Sequence, residues 1–226
     1  AASLSEIAFS RDDGATWSTA RLPASVLGAR ALAVSGLDIY AATADGHVLY
    51  SSDRGASFTL RGDVGHFVIA LGVDSRGRLL AASGFIAGHR DGRTPLYRSD
   101  DGGRTWREIA FPSAGAASHA FSILASTDDT VYVGYWGHGT ASAVAKVVTG
   151  PMGDVLRETS GTLPGNWSDP HGEALFETSE GIYVGVEANT SSDLVFLTSD
   201  GANTWKSTGK LTPARAALDL AMLHDG

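Results

Sequence analysis

The chain is a succession of short apolar segments separated by polar turns that are rich in glycine. The longest apolar segment, Phe67–Val73, has the length of a strand, whereas a helix that spans a bilayer needs about 20 residues. The 28 glycines are spread along the chain instead of clustering in one linker. Short apolar segments with tight turns between them predict an all-β fold.

A polar motif repeats four times between these segments. Its pattern is Ser/Thr-x-Asp-x-Gly-x-Thr/Ser-aromatic, and its copies are Ser10–Trp17, Ser51–Phe58, Ser99–Trp106 and a degraded Thr198–Trp205. The first three copies recur after 41 and 48 residues and the last follows after 99. A fifth unit with an eroded motif is therefore expected at 144–154, with its turn at Gly150–Gly153. A period of this size, built of short strands, is typical of β-propeller blades.

The apolar segments divide each unit into four strands, so the sequence predicts a β-propeller of four-stranded antiparallel blades. About five blades are expected, or a fragment of a larger propeller. The expected single domain consists of a partial blade at 1–26, blades at 27–63, 64–112, 113–163 and 164–210, and a closing strand at 211–226. Because two strands open the chain and one closes it, a ring with one thin blade and a fragment both remain open.

The repeated motif is predicted to form the hairpin turn between two strands. Its aspartate can accept backbone N–H groups, which replaces the ladder that the turn interrupts. Its glycine supplies a positive φ, and its aromatic residue can bury a large face against the sheet. Nothing in the motif requires catalysis.

Composition restricts the partners and the chemistry. The formal net charge is −8, and the lysines are Lys146, Lys206 and Lys210. This balance argues against nucleic acid and against an anionic membrane surface as partners. The chain has no cysteine, which excludes disulfides, thiolate metal sites and a cysteine nucleophile.

The motif resembles the Asp-box, also called the bacterial neuraminidase repeat (BNR). This repeat occurs in sialidases, xyloglucan-active glycoside hydrolases, sortilin-type receptors and photosystem assembly factors. The resemblance implies a β-propeller in which the boxes are structural turns away from the active face. It implies no single function, because many functions share this fold.

The resemblance to sialidases is incomplete. Sialidases have an early Phe/Tyr-Arg-Ile/Leu-Pro motif, an arginine triad and a Tyr/Glu nucleophile pair. The nearest fragment, Ala20–Pro23, lacks the aromatic residue and follows the first box instead of preceding it. We therefore expect no sialidase activity, and another kind of glycoside hydrolase is the leading enzymatic option.

Ligands of propellers usually bind at the central mouth, where the first strands of the blades converge. Alignment of the units on their first strands places His66, His119 and His171 in one register. Three converging imidazoles would bind Zn²⁺ or another divalent metal, or a carboxylate of a ligand. The alternative is that each histidine caps its strand or bonds a carbonyl group of the neighbouring blade.

The loops between second and third strands should lie at the same face. The candidate ligand-binding residues there are His89, Tyr135, Trp136, His138 and Glu187. The aromatic rings would stack on a sugar, and Glu187 or Asp169 would serve as acid or base. Alternatively, Trp136 packs under its own loop.

Three functions remain open from the sequence. The first is an exported binding module that holds a glycan or a protein segment at the mouth without catalysis. The second is a glycoside hydrolase-like or metal-dependent enzyme that uses the histidine-lined mouth, and the third is an assembly factor. The composition, rich in Ala, Gly and Arg, indicates a bacterial protein. The small residues Ala1–Ser3 fit the mature terminus that remains after cleavage of a leader at a small-residue site. A secreted or periplasmic location is therefore expected.

Overall fold

The computed structural model describes residues 5–83, 96–109, 117–137, 142–150, 153–165, 167, 170–187 and 194–209. These residues form eighteen β-strands and no helix. The strands are β1 Glu6–Phe9, β2 Ser18–Arg21, β3 Ala29–Ser35, β4 Asp38–Thr43, β5 His47–Ser51, β6 Thr59–Asp63, β7 Val68–Val73, β8 Leu79–Ser83, β9 Leu96–Ser99, β10 Arg107–Ile109, β11 Ala117–Ala125, β12 Val131–Gly137, β13 Val144–Gly150, β14 Gly153–Glu158, β15 His171–Thr178, β16 Gly181–Glu187, β17 Val195–Thr198 and β18 Lys206–Ser207. In this part of the chain, no helix has the length and apolarity needed to cross a bilayer.

The strands form antiparallel meanders in which chain neighbours pair. A two-stranded sheet, β1–β2, precedes the four-stranded meanders β3–β6, β7–β10, β11–β14 and β15–β18. A single residue pair, Trp136 with His171, joins β12 to β15 and makes the last two meanders one sheet. The predicted all-β fold with four-stranded antiparallel blades is confirmed. The hairpin expected at the eroded fifth motif is also present, as β13 and β14 with Gly150 opposite Gly153.

The chain divides into two compact units, and each unit has its own core. The first contains the described residues up to 83 together with 96–108, and the second contains the described residues from 109 onward. In the first unit, Val48 packs in a cluster with Leu79, whereas the adjacent Leu49 packs with Ile7 and Phe58. Successive side chains of a strand point to opposite faces, so the meander β3–β6 is covered on both sides.

The core of the second unit lies between its two meanders. Tyr132 and Val144 come from the first meander, and Val184 and Phe196 come from the second. All four side chains are almost completely buried. The predicted blade boundaries remain a prediction, and the expected closing strand at 211–226 lies outside the described residues.

Each of the four Asp-boxes forms the same type of hydrogen-bonded turn. In the third box, the Asp101 carboxylate accepts bonds from Ser99 Oγ at 2.8 Å, from Thr105 N at 2.9 Å and from Thr105 Oγ1 at 2.6 Å. The Gly103 N–H donates to Ser99 Oγ at 2.8 Å. Gly103 has a φ of +87°, as the motif predicts, and Ala202 takes the same position in the degraded box with a φ of +64°. The boxes are therefore local turns whose polar groups are satisfied internally.

Candidate functional site

The first strand of each four-stranded meander contains a β-bulge near its start. The extra residue in the ladder is Arg30 in β3, Ile69 in β7, Phe121 in β11 and Glu173 in β15. A bulge bends its strand and redirects the side chains around it. In β15, the bulge places a carboxylate at the strand end where a ligand site is expected.

Three polar side chains meet at this end of β15 and β16. His171 lies directly opposite Glu187 in the ladder, and Glu173 is the bulged residue. The Nδ1 atom of His171 lies 3.4 Å from Oε1 of Glu173 and 3.9 Å from Oε2 of Glu187. One donor atom of each residue lies within 4.8 Å of the other two. These three residues are called the His–Glu–Glu cluster below.

The cluster is partly accessible to solvent. The side chain of Glu187 is 50% exposed, whereas those of His171 and Glu173 are 25% and 16% exposed. A ligand can therefore reach the cluster from the side of Glu187, while Glu173 lies deeper.

Aromatic rings hold the imidazole of His171. The Phe121 ring stacks on it with a centroid distance of 5.3 Å and an interplanar angle of 15°. The Trp136 ring lies at 4.8 Å and is tilted by 54°. Trp136 and Phe121 are themselves partly exposed. The arrangement combines aromatic surface with hydrogen-bonding groups, which suits an amphipathic ligand such as a sugar.

Burial raises the pKa of Glu173 above its ordinary value. The nearby imidazole of His171 favours the charged form and opposes this shift, whereas the carboxylate of Glu187 adds to it. Glu173 therefore accepts a proton more readily than an exposed glutamate does.

Close backbone contacts position the aromatic side of the site. β12 and β15 approach so closely that a Cβ atom on Gly172 would lie 2.9 Å from Cα of Gly134. The hydroxyl group of Ser122 donates to the carbonyl oxygen of Gly172 at 3.0 Å. Since Trp136 pairs with His171 in this sheet, these glycines allow the tryptophan to reach the cluster.

The predicted ligand-binding residues have different positions in the structure. Trp136 and Glu187 lie together at the end of β15 and β16, while Tyr135 is completely buried. His89, His138 and the alternative acid Asp169 lie outside the described residues. Trp136 contacts His171, and this contact now accounts for part of its burial.

The shared register of three histidines is wrong for His66. Pairing with the second strands makes Val68 equivalent to Gly172, since each immediately precedes a bulged residue. Phe67 therefore corresponds to His171, and His66 lies one residue earlier. The imidazole of His66 stacks on Tyr97 at 5.7 Å within the first unit. His119 belongs to β11, and its side chain lies outside the described residues, so a metal site formed by the three histidines stays untested.

The Asp-boxes lie at the opposite ends of the strands, as expected. In the last meander, the box joins β17 and β18 near Ile182, whereas Glu187 ends β16 at the other side. The box of this meander and the His–Glu–Glu cluster are thus separated by the length of the strands.

The sequence reasoning missed two residues of the site, Glu173 and Phe121. Each is the bulged residue of its own strand, β15 and β11, and a bulge cannot be recognised from the alternation of polar and apolar residues. A signal was present, because Glu173 is a charged residue beside the apolar Ala174–Phe176. The sequence also did not indicate a second histidine between two carboxylates, which lies in the first unit. Nε2 of His47 is 3.8 Å from Oδ2 of Asp45, and Nδ1 of His47 is 3.5 Å from Oδ2 of Asp63.

Comparison with known families confirms the repeat. Residues 97–108, which contain the whole third box, match the BNR/Asp-box repeat family. No curated protein matches the chain in sequence. The chain therefore contains an Asp-box repeat at this position, as its motifs predict.

Similar solved structures confirm the fold. YCF48 bound to D1 peptide is 14% identical, with a TM-score of 0.58, and the match covers 93% of this chain and 62% of that one. An ancestral GH74 enzyme is 19% identical, with a TM-score of 0.61 and coverage of 91% and 28%. An extracellular domain from B. thetaiotaomicron, described as part of a hybrid two-component system, is 11% identical, with a TM-score of 0.59 and coverage of 95% and 28%. The chain therefore has a β-propeller fold and spans less than two thirds of the length of each of these structures.

Proposed function

We propose that this propeller domain binds an uncharged glycan at the ends of β12, β15 and β16 and does not cleave it. The observation that carries the proposal is the partly exposed Trp136 ring beside the His–Glu–Glu cluster. A sugar ring would stack on the tryptophan, while Glu187 and His171 would bond its hydroxyl groups.

The charge of the site supports an uncharged ligand. Two carboxylates face one imidazole, and the whole chain has a formal net charge of −8. An acidic sugar would be repelled here.

The solved structures of similar fold include both binding proteins and hydrolases. One is described with a bound peptide and another as a GH74 enzyme. A protein segment is therefore the competing ligand, and the experiment has to separate it from a glycan.

The test is a binding screen with the purified chain. We expect it to retain neutral oligosaccharides, such as those derived from xyloglucan, and to reject a sialylated oligosaccharide and a basic peptide. Trp136→Ala should weaken binding at least about tenfold, because stacking surface is removed. Trp17→Ala is the matched control, since Trp17 is 65% exposed in the first Asp-box and should leave binding unchanged.

Two results would contradict this function. One is retention of the peptide in place of every neutral glycan, which would make the domain a protein-binding module. The other is equal glycan affinity of the Trp136→Ala and Trp17→Ala variants, which would place the glycan elsewhere.

A glycoside hydrolase is the second candidate, and the pKa of Glu173 favours it. Burial keeps Glu173 closer to its protonated form, and an oxygen of Glu187 lies within 4.8 Å of a Glu173 oxygen. A retaining mechanism needs an acid and a nucleophilic carboxylate about 5–5.5 Å apart. Release of reducing sugar from the bound glycan, abolished by Glu173→Gln, would replace the binding function with this one.

We also propose that the domain functions outside the cytoplasm of a bacterium. The similarity to an extracellular domain supports this location. Fractionation of the producing cell should recover the protein in the periplasm or the medium, and recovery with cytoplasmic markers would contradict it.

A further inference from the structure

We propose that His171, Glu173 and Glu187 bind a divalent transition-metal ion, and that Zn²⁺ is the ion they suit. This site differs from the three-histidine site that the sequence suggested, because it uses one histidine and two glutamates of a single hairpin. It also goes beyond glycan binding, since a metal can be bound whether or not a glycan is.

The backbone fixes the relative positions of the three ligands. His171 and Glu187 are opposite each other in the ladder, and the bulge between Gly172 and Ala174 displaces Glu173 from its regular position. Residues two apart on a regular strand lie on one face, and a bulge redirects the side chain at its own position. All three donor groups therefore converge on one space.

The distances suit a metal better than a hydrogen bond. The 3.4 and 3.9 Å from Nδ1 of His171 to the two carboxylates exceed the 2.7–3.2 Å of a good N–H···O bond. Ligand atoms around tetrahedral Zn²⁺, with bonds of about 2.0–2.1 Å, lie about 3.3 Å apart. Small side-chain rotations would bring the three donors to this spacing.

The His–Glu–Glu cluster has more negative than positive charge. Even a protonated His171 would neutralise only one of the two carboxylates. In the described part of the chain, no lysine or arginine forms an ion pair with Glu173 or Glu187. Because Glu173 is largely buried, its charge is poorly solvated, and a divalent cation would compensate it.

The surroundings favour a site that keeps an open coordination position. The rings of Phe121 and Trp136 pack against the imidazole of His171 and restrict its orientation. The exposed side of Glu187 leaves room for water or a ligand hydroxyl group. Imidazole and carboxylate donors suit Zn²⁺, whereas Ca²⁺ and Mg²⁺ prefer oxygen ligands alone.

The experiment measures metal binding by the purified chain after dialysis against a chelator, with no glycan present. Titration calorimetry with ZnCl₂ should show one site, and Ca²⁺ and Mg²⁺ should not compete. His171→Ala and Glu173→Gln should each weaken Zn²⁺ binding at least about tenfold. Glu187→Gln changes a half-exposed side chain of the same site, so this variant should fold normally. It should also weaken Zn²⁺ binding.

Two control variants give the proposal its contrast. His66→Ala removes an imidazole that stacks on Tyr97, and His47→Ala removes one that lies between two aspartates in the first unit. Neither should change the affinity for Zn²⁺.

Several outcomes would overturn the site. Undetectable Zn²⁺ binding would do so, as would binding that both glutamate variants leave intact. Loss of binding in His66→Ala and His119→Ala, with Glu187→Gln unaffected, would assign the metal to the three histidines. A preference for Ca²⁺ would contradict the choice of ion. Because no glycan is used, these outcomes are independent of the glycan-binding function.

Discussion

Each Asp-box aspartate is surrounded by hydrogen-bond donors. The main cause of its lowered pKa is the hydroxyl group four residues later, such as that of Thr105 for Asp101. Asp12, Asp53 and Asp200 have the same arrangement and the same direction of shift. The donors stabilise the charged form, so these four carboxylates resist protonation in the folded protein.

This arrangement predicts a loss of stability in acid. The pKa values of the four aspartates are lower in the folded chain than in the unfolded chain, where they are about 3.9. Their contribution is therefore complete above that value and is lost as the pH falls through the folded pKa. Glu173, whose pKa is raised, acts in the opposite direction but is a single group.

The measurement is the urea midpoint of unfolding between about pH 5 and pH 2, where the unfolded chain takes up the protons. We expect the midpoint to fall steadily over this range. Asp101→Asn removes one of the four carboxylates, so its midpoint should be lower at pH 5 and should depend less on pH. A midpoint that does not change with pH would contradict the role given to the boxes.

Replacement of the box glycine should destabilise the protein more in one box than in another, because the surroundings of the glycine differ. In Gly103→Ala, the φ of +87° strains the new side chain, and its Cβ atom also lies 3.0 Å from Cδ1 of Leu79. We expect a loss of about 2–3 kcal/mol of unfolding free energy. Gly14→Ala is the matched control, since its φ is +86° but its nearest contact is at 3.9 Å, and it should lose about 1 kcal/mol. Equal losses would show that packing around Gly103 has no influence.

At the scale of strands, local patterns predict the elements well. The meander β15–β18 follows from apolar segments separated by turns, and its box follows from a spacing of a few residues. Strands and hairpin turns depend on residues that are close in the chain, so a local sequence pattern is sufficient to predict them.

The candidate site is less predictable because it depends on register. A bulge adds one residue to one strand, so it shifts every later residue relative to its partner. The bulge follows His66 after three residues but His171 after two, so the two histidines do not share a register, and in β15 the bulged residue is Glu173, beside the imidazole. Of the predicted residues, His171, Trp136 and Glu187 fall in the described site, since all three lie at strand ends: His171 begins β15, Glu187 ends β16 and Trp136 is the last residue but one of β12. The pairing of β12 with β15 involves distant parts of the chain and has no local sequence signal.

The contact between β12 and β15 gives a prediction at this scale. In Gly172→Ala, the added Cβ atom would overlap the carbonyl oxygen of Ala143 and press on Gly134. β15 would then move away from β12, with a loss of about 1–3 kcal/mol of stability. The Trp136–His171 contact should be lost as well, which Trp136 fluorescence and Zn²⁺ affinity would both report.

A second glycine separates this effect from general destabilisation. Gly77→Ala strains a turn with a φ of +74° and meets no atom within 4 Å. It should lower stability without changing the Zn²⁺ affinity of the folded protein. If Gly172→Ala also leaves that affinity unchanged, the close approach of the strands does not position the site.

At the scale of the whole molecule, the electrostatic field is negative. Acidic residues number 25 and basic residues 17, which gives the formal net charge of −8. Such a field attracts cationic partners over a distance set by the salt concentration, and it has little effect on a neutral ligand. The ligand class can therefore be tested without knowledge of the contacts.

The dependence of affinity on salt should distinguish a glycan from a protein segment. The Debye length falls from about 30 Å at 0.01 M salt to about 3 Å at 1 M, so the field is almost fully screened at the higher value. If the natural ligand is a neutral oligosaccharide, its affinity should change by less than about twofold over this range. A basic peptide would lose affinity steeply, and Glu187→Gln would reduce that loss, because one negative charge beside the ligand is gone. A steep salt dependence for the best ligand of the screen would therefore argue for a cationic protein segment and against the glycan.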